Sequence, residues 1–238
     1  MKIQGSIALV TGSNRGLGSE IVSALIRAGA TKVYAAARAG KQIRALDSRI
    51  VPLELDITNA PQVAAAAETA GDVTLLINNA GTLTSFNVLS ASQAELDTDF
   101  RTNLFGTLAL VKAFIPVLER AAAGATIVNV LSLSALASVP SMGGYSASKA
   151  ASYSVTQSLR AELRHRRIAV LAALAGPVDT DMVRALKLPK ANPAEVAAAL
   201  LAGVERGDEE IFPDPMAQQM GPLWHKSPKE FERAFADY

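Results

Sequence analysis

The chain has 238 residues, half of them hydrophobic, with 23 Lys plus Arg against 22 Asp plus Glu and a formal net charge of +1. That balance provides a sizeable core and no bulk attraction to nucleic acid or an anionic membrane, so neither is expected as a partner. Cysteine is absent and the only histidines are His165 and His225, which excludes disulfides, a thiolate nucleophile, Cys-ligated metal and a three-His zinc site, and no metal is expected.

The N-terminal segment carries one Lys and a short apolar run that leads straight into a glycine turn, unlike a secretory signal. No uninterrupted apolar stretch of about 18 residues predicts a membrane span, and a cytoplasmic location is expected. Strands are predicted over Ser6–Thr11, Lys32–Ala36, Ile50–Leu55, Val73–Asn78, Ala125–Leu131, Ile168–Ala173 and Glu210–Pro213. Most are continuous apolar runs, the pattern of strands buried on both faces of a parallel sheet. Between them helices are predicted over Gly16–Gly29, Ala60–Ala70, Asn103–Ala123 with Pro116 as a kink site, Tyr145–Arg166 and Pro193–Arg206. The last starts with an Asn192-Pro193 cap pair and stops at Gly207. This alternation predicts an α/β fold with a doubly wound parallel sheet flanked by helices on both faces. Residues 1–238 read as one domain, with 182–238 as a substrate loop and C-terminal extension.

After the first strand comes Thr11-Gly12-Ser13-Asn14-Arg15-Gly16-Leu17-Gly18. A strand-to-helix turn with these glycines lets backbone N–H groups approach a pyrophosphate, and the helix N-terminus favours the negative charge. Taken alone, such glycines also suit an ordinary tight turn. Five further segments follow in order: Asn78-Asn79-Ala80-Gly81, Asn103 in Arg101-Thr102-Asn103-Leu104, Ser132 after an apolar strand, Tyr145-Ser146-Ala147-Ser148-Lys149, and Gly176-Pro177-Val178-Asp179-Thr180. Together they resemble, at matching spacing from about Ile7 to Met182, the TGxxxGxG, NNAG, catalytic Asn, Ser, YxxxK and post-strand motifs of the short-chain dehydrogenase/reductase family. Where that family usually has Pro-Gly, this chain has Ala175-Gly176 followed by Pro177. The resemblance implies a single-domain Rossmann-type fold.

The chemistry of carbonyl reduction fits these residues. A nicotinamide carries the hydride, and the protein must donate a proton to oxygen and hold that oxygen. Tyr145 is the expected acid-base residue. Lys149, one helical turn later, is expected to favour the phenolate and lower its pKa. Ser132 is expected to hydrogen-bond the carbonyl oxygen, and Ser134 to face the substrate. By resemblance, Lys149 also holds the nicotinamide ribose and Asn103 holds a water relaying protons to solvent. The resemblance further implies cofactor contacts from Gly12, Ser13, Asn14, Arg15, Gly16, Leu17, Gly18, Arg38, Asp56, Ile57, Asn79, Ala80, Gly81, Tyr145, Lys149, Pro177, Val178 and Thr180. Individually, most of these are also what helix surfaces, turns and caps contain.

Second-strand ends set the choice between NAD and NADP, because an acidic side chain there bonds the ribose 2′-hydroxyl. Here Ala37 stands at that position and Arg38 follows, with Arg15 as a second cation, so NADP(H) is expected. The expected activity is hydride transfer between NADP(H) and a ketone, aldehyde or secondary alcohol. A non-catalytic NADP(H)-binding sensor or scaffold is the alternative, and the complete set of Asn103, Ser132, Tyr145 and Lys149 argues against it. An epimerase or dehydratase is a third reading, disfavoured by the short stretch after Met182. An apolar substrate pocket is expected from Leu83, Phe86, Leu136, Val139, Met142, Met182, Val183 and Leu186. The resemblance implies a homotetramer, with a dimer as the alternative, paired through the two long helices, which carry apolar positions such as Leu108, Phe114 and Leu159.

Overall fold

The computed structural model describes residues 1–185 and 187–236. Seven parallel strands form one sheet in the order β3-β2-β1-β4-β5-β6-β7. The strands are β1 (Ile7–Thr11), β2 (Lys32–Ala37), β3 (Ile50–Glu54), β4 (Leu75–Asn78), β5 (Ala125–Ser132), β6 (Ile168–Ala175) and β7 (Glu210–Ile211). Strand order reverses between β1 and β4, the switch point at which open α/β sheets bind ligands beyond the carboxyl ends of their strands.

Alternation along each strand splits the core in two. Ala8 and Val10 face α1 (Gly16–Arg27) and α6 (Pro193–Arg206), packing with Ile21, Leu25, Leu200 and Val204. Leu9 and Leu76 face the opposite layer of α2 (Ala60–Thr69), α4 (Thr107–Leu118) and α5 (Gly143–Leu163), with Val63, Phe114 and Leu159. Phe114 and Leu159 therefore belong to this chain's own core and not to the subunit face expected of them. Leu108 is half-buried against the same core, and Phe105, 59% exposed, is the large apolar side chain left outside on this helix.

The helix expected to begin at Asn103 begins ten residues earlier. Ser92 caps α3 (Gln93–Asp99): its hydroxyl accepts from the Glu95 N–H at 3.3 Å while the Glu95 carboxylate accepts from the Ser92 N–H at 2.8 Å. This reciprocal pair satisfies amides that a helix start leaves open. A π-helical segment (Phe100–Gly106) then joins α3 to α4, making 26 helical residues from Gln93 to Leu118. Among the described residues it is the one helix long and apolar enough to cross a membrane, by length and composition only; its buried residues pack on the sheet. Pro116 lies in its last turn.

The C-terminal extension is also helical. α7 (Pro215–Lys226) and α8 (Pro228–Phe235) cover the end of β6 with Ala217, Phe231 and Phe235. His225 meets Phe212 edge-on and lies tilted against Trp224, a packing role. Buried Asp214 caps α7 through the Ala217 N–H at 3.0 Å and also accepts from the Gly176 N–H at 2.7 Å. That bond ties the loop after β6 to the extension.

Candidate active site

The turn after β1 is shaped by contact with the end of β4. Gly12 has φ +66°, and a Cβ there would lie 2.9 Å from the Ala80 Cα. A Cβ on Gly18 would overlap the Gly12 carbonyl oxygen and sit 2.6 Å from Asn79 Nδ2. Only glycine allows both approaches. The Thr11 hydroxyl accepts from the N–H groups of Asn79 and Ala80 at 3.0 and 2.9 Å, and Asn79 Nδ2 donates to the Thr11 carbonyl at 2.9 Å. Asn79 thus anchors the turn as well as bordering the cleft.

Ser13 is the exception among the turn residues. It is buried, its N–H and hydroxyl both donate to the Ala36 carbonyl at 3.0 Å, and it does not line the cleft. Asn14, Arg15, Gly16, Leu17 and Gly18 do. No side chain caps α1, because Arg15 stands at its cap position without a cap bond. Its first-turn amides border an open space, as a bound phosphate requires.

One cleft of about 360 Å³ runs from this turn along the carboxyl edge of the sheet. At one end stand Ala37, Arg38, Asp56 and Ile57. The Asp56 carboxylate accepts from the Thr58 N–H and hydroxyl at 2.9 and 2.7 Å. Burial pushes its pKa up, but those bonds and the Arg38 charge outweigh burial and hold it below the ordinary value. Arg15 does not reach toward Arg38. It pairs with Asp181 at 2.9 Å, and Asp181 also pairs with Arg184. Neither aspartate pairing was legible from the loop's turn-like composition.

At the other end β5 delivers Ser132 and the first turn of α5 delivers Tyr145. The Ser132 hydroxyl acts on the Tyr145 phenol, favouring its ionised form. Ser132 Oγ also accepts from the Ser134 N–H at 3.2 Å and the Ser134 hydroxyl at 3.0 Å, so Ser134 joins the site. Lys149 Nζ donates to the Val130 carbonyl at 3.0 Å and lies 5.7 Å from the Tyr145 ring centroid. Burial pulls Lys149 down to about 8, against the raising effect of the Asp99 charge. The phenol of Tyr145 moves upward, chiefly by burial and then by Asp99, with the Ser132 bond opposing. The lowering expected from Lys149 is therefore not what the protein alone provides. The ammonium is turned to Val130 beneath the ring, and desolvation of the phenolate dominates.

Asn103 sits mid-helix in the π-helical segment and does not line the cleft. Its amide is engaged: Oδ1 accepts from the Thr82 N–H at 2.9 Å, and Nδ2 donates to the Thr82 carbonyl and Ser148 Oγ at 3.0 and 2.9 Å. A Cβ on Gly81 would lie 3.1 Å from Asn103 Oδ1 and 3.6 Å from Lys149 Nζ, so Asn103 stands directly behind the cleft wall. Asn79, Ala80, Gly81, Pro177, Val178 and Thr180 line the cleft between its two ends.

Leu83, Val139, Met142, Met182 and Val183 line it as expected. Phe86 is exposed and Leu136 packs under the C-terminal helices, so neither does; Leu186 lies outside the described residues. The extension adds Met216 and Phe235, which no local signal marked.

The short chain dehydrogenase family model matches residues 6–191, and the chain belongs to that family. It is 31% identical over 208 residues to an uncharacterized oxidoreductase of Staphylococcus aureus strain MW2, covering 82% of this chain and 89% of that protein. It is 32% identical over 197 residues to the NADPH-dependent 1-acyldihydroxyacetone phosphate reductase of Saccharomyces cerevisiae, covering 78% of this chain and 65% of that one. A short chain dehydrogenase from Burkholderia cenocepacia J2315, solved in complex with NADP, superposes with a TM-score of 0.93 at 42% identity over 99% of both chains.

Proposed function

We propose that the protein is an NADP(H)-dependent carbonyl reductase or alcohol dehydrogenase, one domain throughout, in which Tyr145 is the acid-base residue. The observation that carries this reading is the meeting of Ser132, Tyr145 and Lys149 in the cleft that starts at the uncapped end of α1. The glycine cradle fits a dinucleotide: Gly12, Gly16, Leu17 and Gly18 receive the pyrophosphate, and Arg38, with no carboxylate at Ala37, receives a 2′-phosphate. Asp56 and Ile57 flank the adenine. Asn79, Ala80, Gly81, Pro177, Val178 and Thr180 flank the nicotinamide half. When bound, the nicotinamide supplies or accepts the hydride.

The protein's own residues handle the oxygen. Ser132 has its lone pairs engaged by Ser134, which leaves its one hydrogen free to turn from the Tyr145 phenol to the substrate oxygen when substrate binds. Tyr145 gives its proton to that oxygen in reduction and takes one in oxidation. Lys149 holds the ribose hydroxyls and brings positive charge to the phenol once its ammonium is turned from Val130. Asn103 positions the wall at Gly81 and Thr82. The apolar end at Val139, Met142, Met182 and Phe235 suits an apolar or aromatic substrate.

Support for NADP(H) comes from Arg38 and from the NADP bound to the Burkholderia cenocepacia neighbour. A cytoplasmic homotetramer completes the reading. The test is loss of NADPH absorbance across a panel of ketones and aldehydes. Turnover of at least one, abolished in Tyr145→Phe, is the expected result; no turnover with either cofactor overturns the reading.

A further inference from the structure

Asp99 closes α3, in full burial, at the point where the π-helical segment begins. Its oxygens accept from the Thr82 hydroxyl at 2.9 Å, from the N–H and hydroxyl of Thr84 at 3.0 and 2.9 Å, and from the N–H and hydroxyl of Ser85. A carboxylate removed from water needs that many donors. Asn103, four residues on and on the same helix face, grips Thr82 through its main chain. The two side chains therefore fasten the whole segment after Gly81.

That segment is the back wall of the reacting end. A Cβ on Gly144, the residue before Tyr145, would overlap Ser85 Oγ. Gly81 separates Asn103 from Lys149 Nζ. The clamp thus bears on both Tyr145 and Lys149 without touching either.

Charge gives the second line of argument. Among the described residues the buried charged side chains are Asp99, Lys149 and Asp214. Asp214 is committed to α7 and Gly176. Lys149 makes one hydrogen bond, to a neutral carbonyl. A buried ammonium without a counter-charge tends to shed its proton, and Asp99 is the carboxylate that acts on it. The titratable groups facing Asp99 are Lys149 and Tyr145 on α5 and Glu95 one turn back on its own helix. Thr82, Thr84 and Ser85 present only hydroxyls and amides.

We propose that Asp99 is a positioning residue of this site, clamping the segment from Thr82 to Ser85 behind Tyr145 and supplying the buried negative charge opposite Lys149. The proposal rests on the reductase reading for its consequence, since an ammonium is what holds ribose hydroxyls and steadies a phenolate. Its test needs no cofactor. The Lys149 side chain is titrated by 13Cε NMR in the free protein, its signal assigned by loss in Lys149→Arg. In Asp99→Asn the midpoint is expected about one pH unit below that of the wild type, as for a single lost charge nearby. Thr84→Ala removes one donor to Asp99 and keeps the charge; it is expected to lower Tm and leave the midpoint in place. An unchanged midpoint in Asp99→Asn, or an equal fall in Thr84→Ala, overturns the proposal. If Asp99→Asn does not fold, Asp99→Glu decides, because it disturbs the clamp and keeps the charge: a Lys149 midpoint held near that of the wild type supports the proposal, and a fall of a full pH unit refutes it. A protein without nicotinamide-dependent turnover but with the Lys149 response would sink the reductase reading and leave the clamp standing.

Discussion

Arg38 and Arg15 both line the cleft, but the structure gives them unequal freedom. Arg15 is held by Asp181 at 2.9 Å, with the side chains 70% and 44% exposed. Arg38 has no ion-pair partner in contact among the described residues, and Asp56 feels its charge across the end of β3. A charge-assisted hydrogen-bond set contributes about 1.5–3 kcal/mol, and this end of the cleft is open, so the lower half applies. Arg38→Leu is therefore expected to weaken NADPH binding by about 10- to 30-fold, since about 1.4 kcal/mol is tenfold, and to leave NADH unchanged. Exposed ion pairs contribute only about 0.2–1 kcal/mol. Asp181→Asn, which frees Arg15, should tighten NADPH by up to about fivefold on the same scale, and Arg15→Leu should cost less than Arg38→Leu. Combining Ala37→Asp with Arg38→Leu should invert the preference. The assay is nicotinamide fluorescence titration with both cofactors, followed by steady-state kinetics. An NADPH-to-NADH ratio that survives Arg38→Leu, or weaker NADPH binding in Asp181→Asn, would refute this reasoning.

Tyr145→Phe should keep cofactor affinity and lose about 100- to 10,000-fold in turnover, the usual cost of an acid-base residue; near-normal activity would remove Tyr145 from the mechanism. Asp214→Ala strands the N–H groups of Gly176 and Ala217 and should lower stability by about 1–3 kcal/mol, read as a fall in Tm. An unchanged Tm would show that the loop after β6 is held by other means. Light scattering at micromolar protein should give a tetramer, and Phe105→Glu on the exposed side of the long helix should weaken it; a wild-type monomer would refute the assembly.

The sheet was legible in the sequence because both of its faces are covered. A short, wholly apolar run such as that of β6 suits a strand covered on both faces, and the predicted and observed strands differ only at their ends. The motif residues, such as Gly12, Gly18, Ser132 and Tyr145, were legible through their resemblance, in order and spacing, to the motifs of the short-chain dehydrogenase/reductase family. The start of α3 was also written locally, in the capping pair of Ser92 and Glu95.

Other features exist only once the chain is folded. Ser13 and Asn103 belong to motifs that border the cleft, yet packing turns Ser13 to Ala36 and spends the Asn103 amide on Thr82 and Ser148. Asp181 lies 166 residues from Arg15, and Asp214 lies 38 from Gly176. No periodicity links such partners, because their bonds depend on which loops the sheet order brings side by side. The same holds for the balance of charge at Tyr145 and Lys149. Residue type and spacing identify the pair, whereas burial and the distance to Asp99, set by three-dimensional packing, decide which way each proton equilibrium leans.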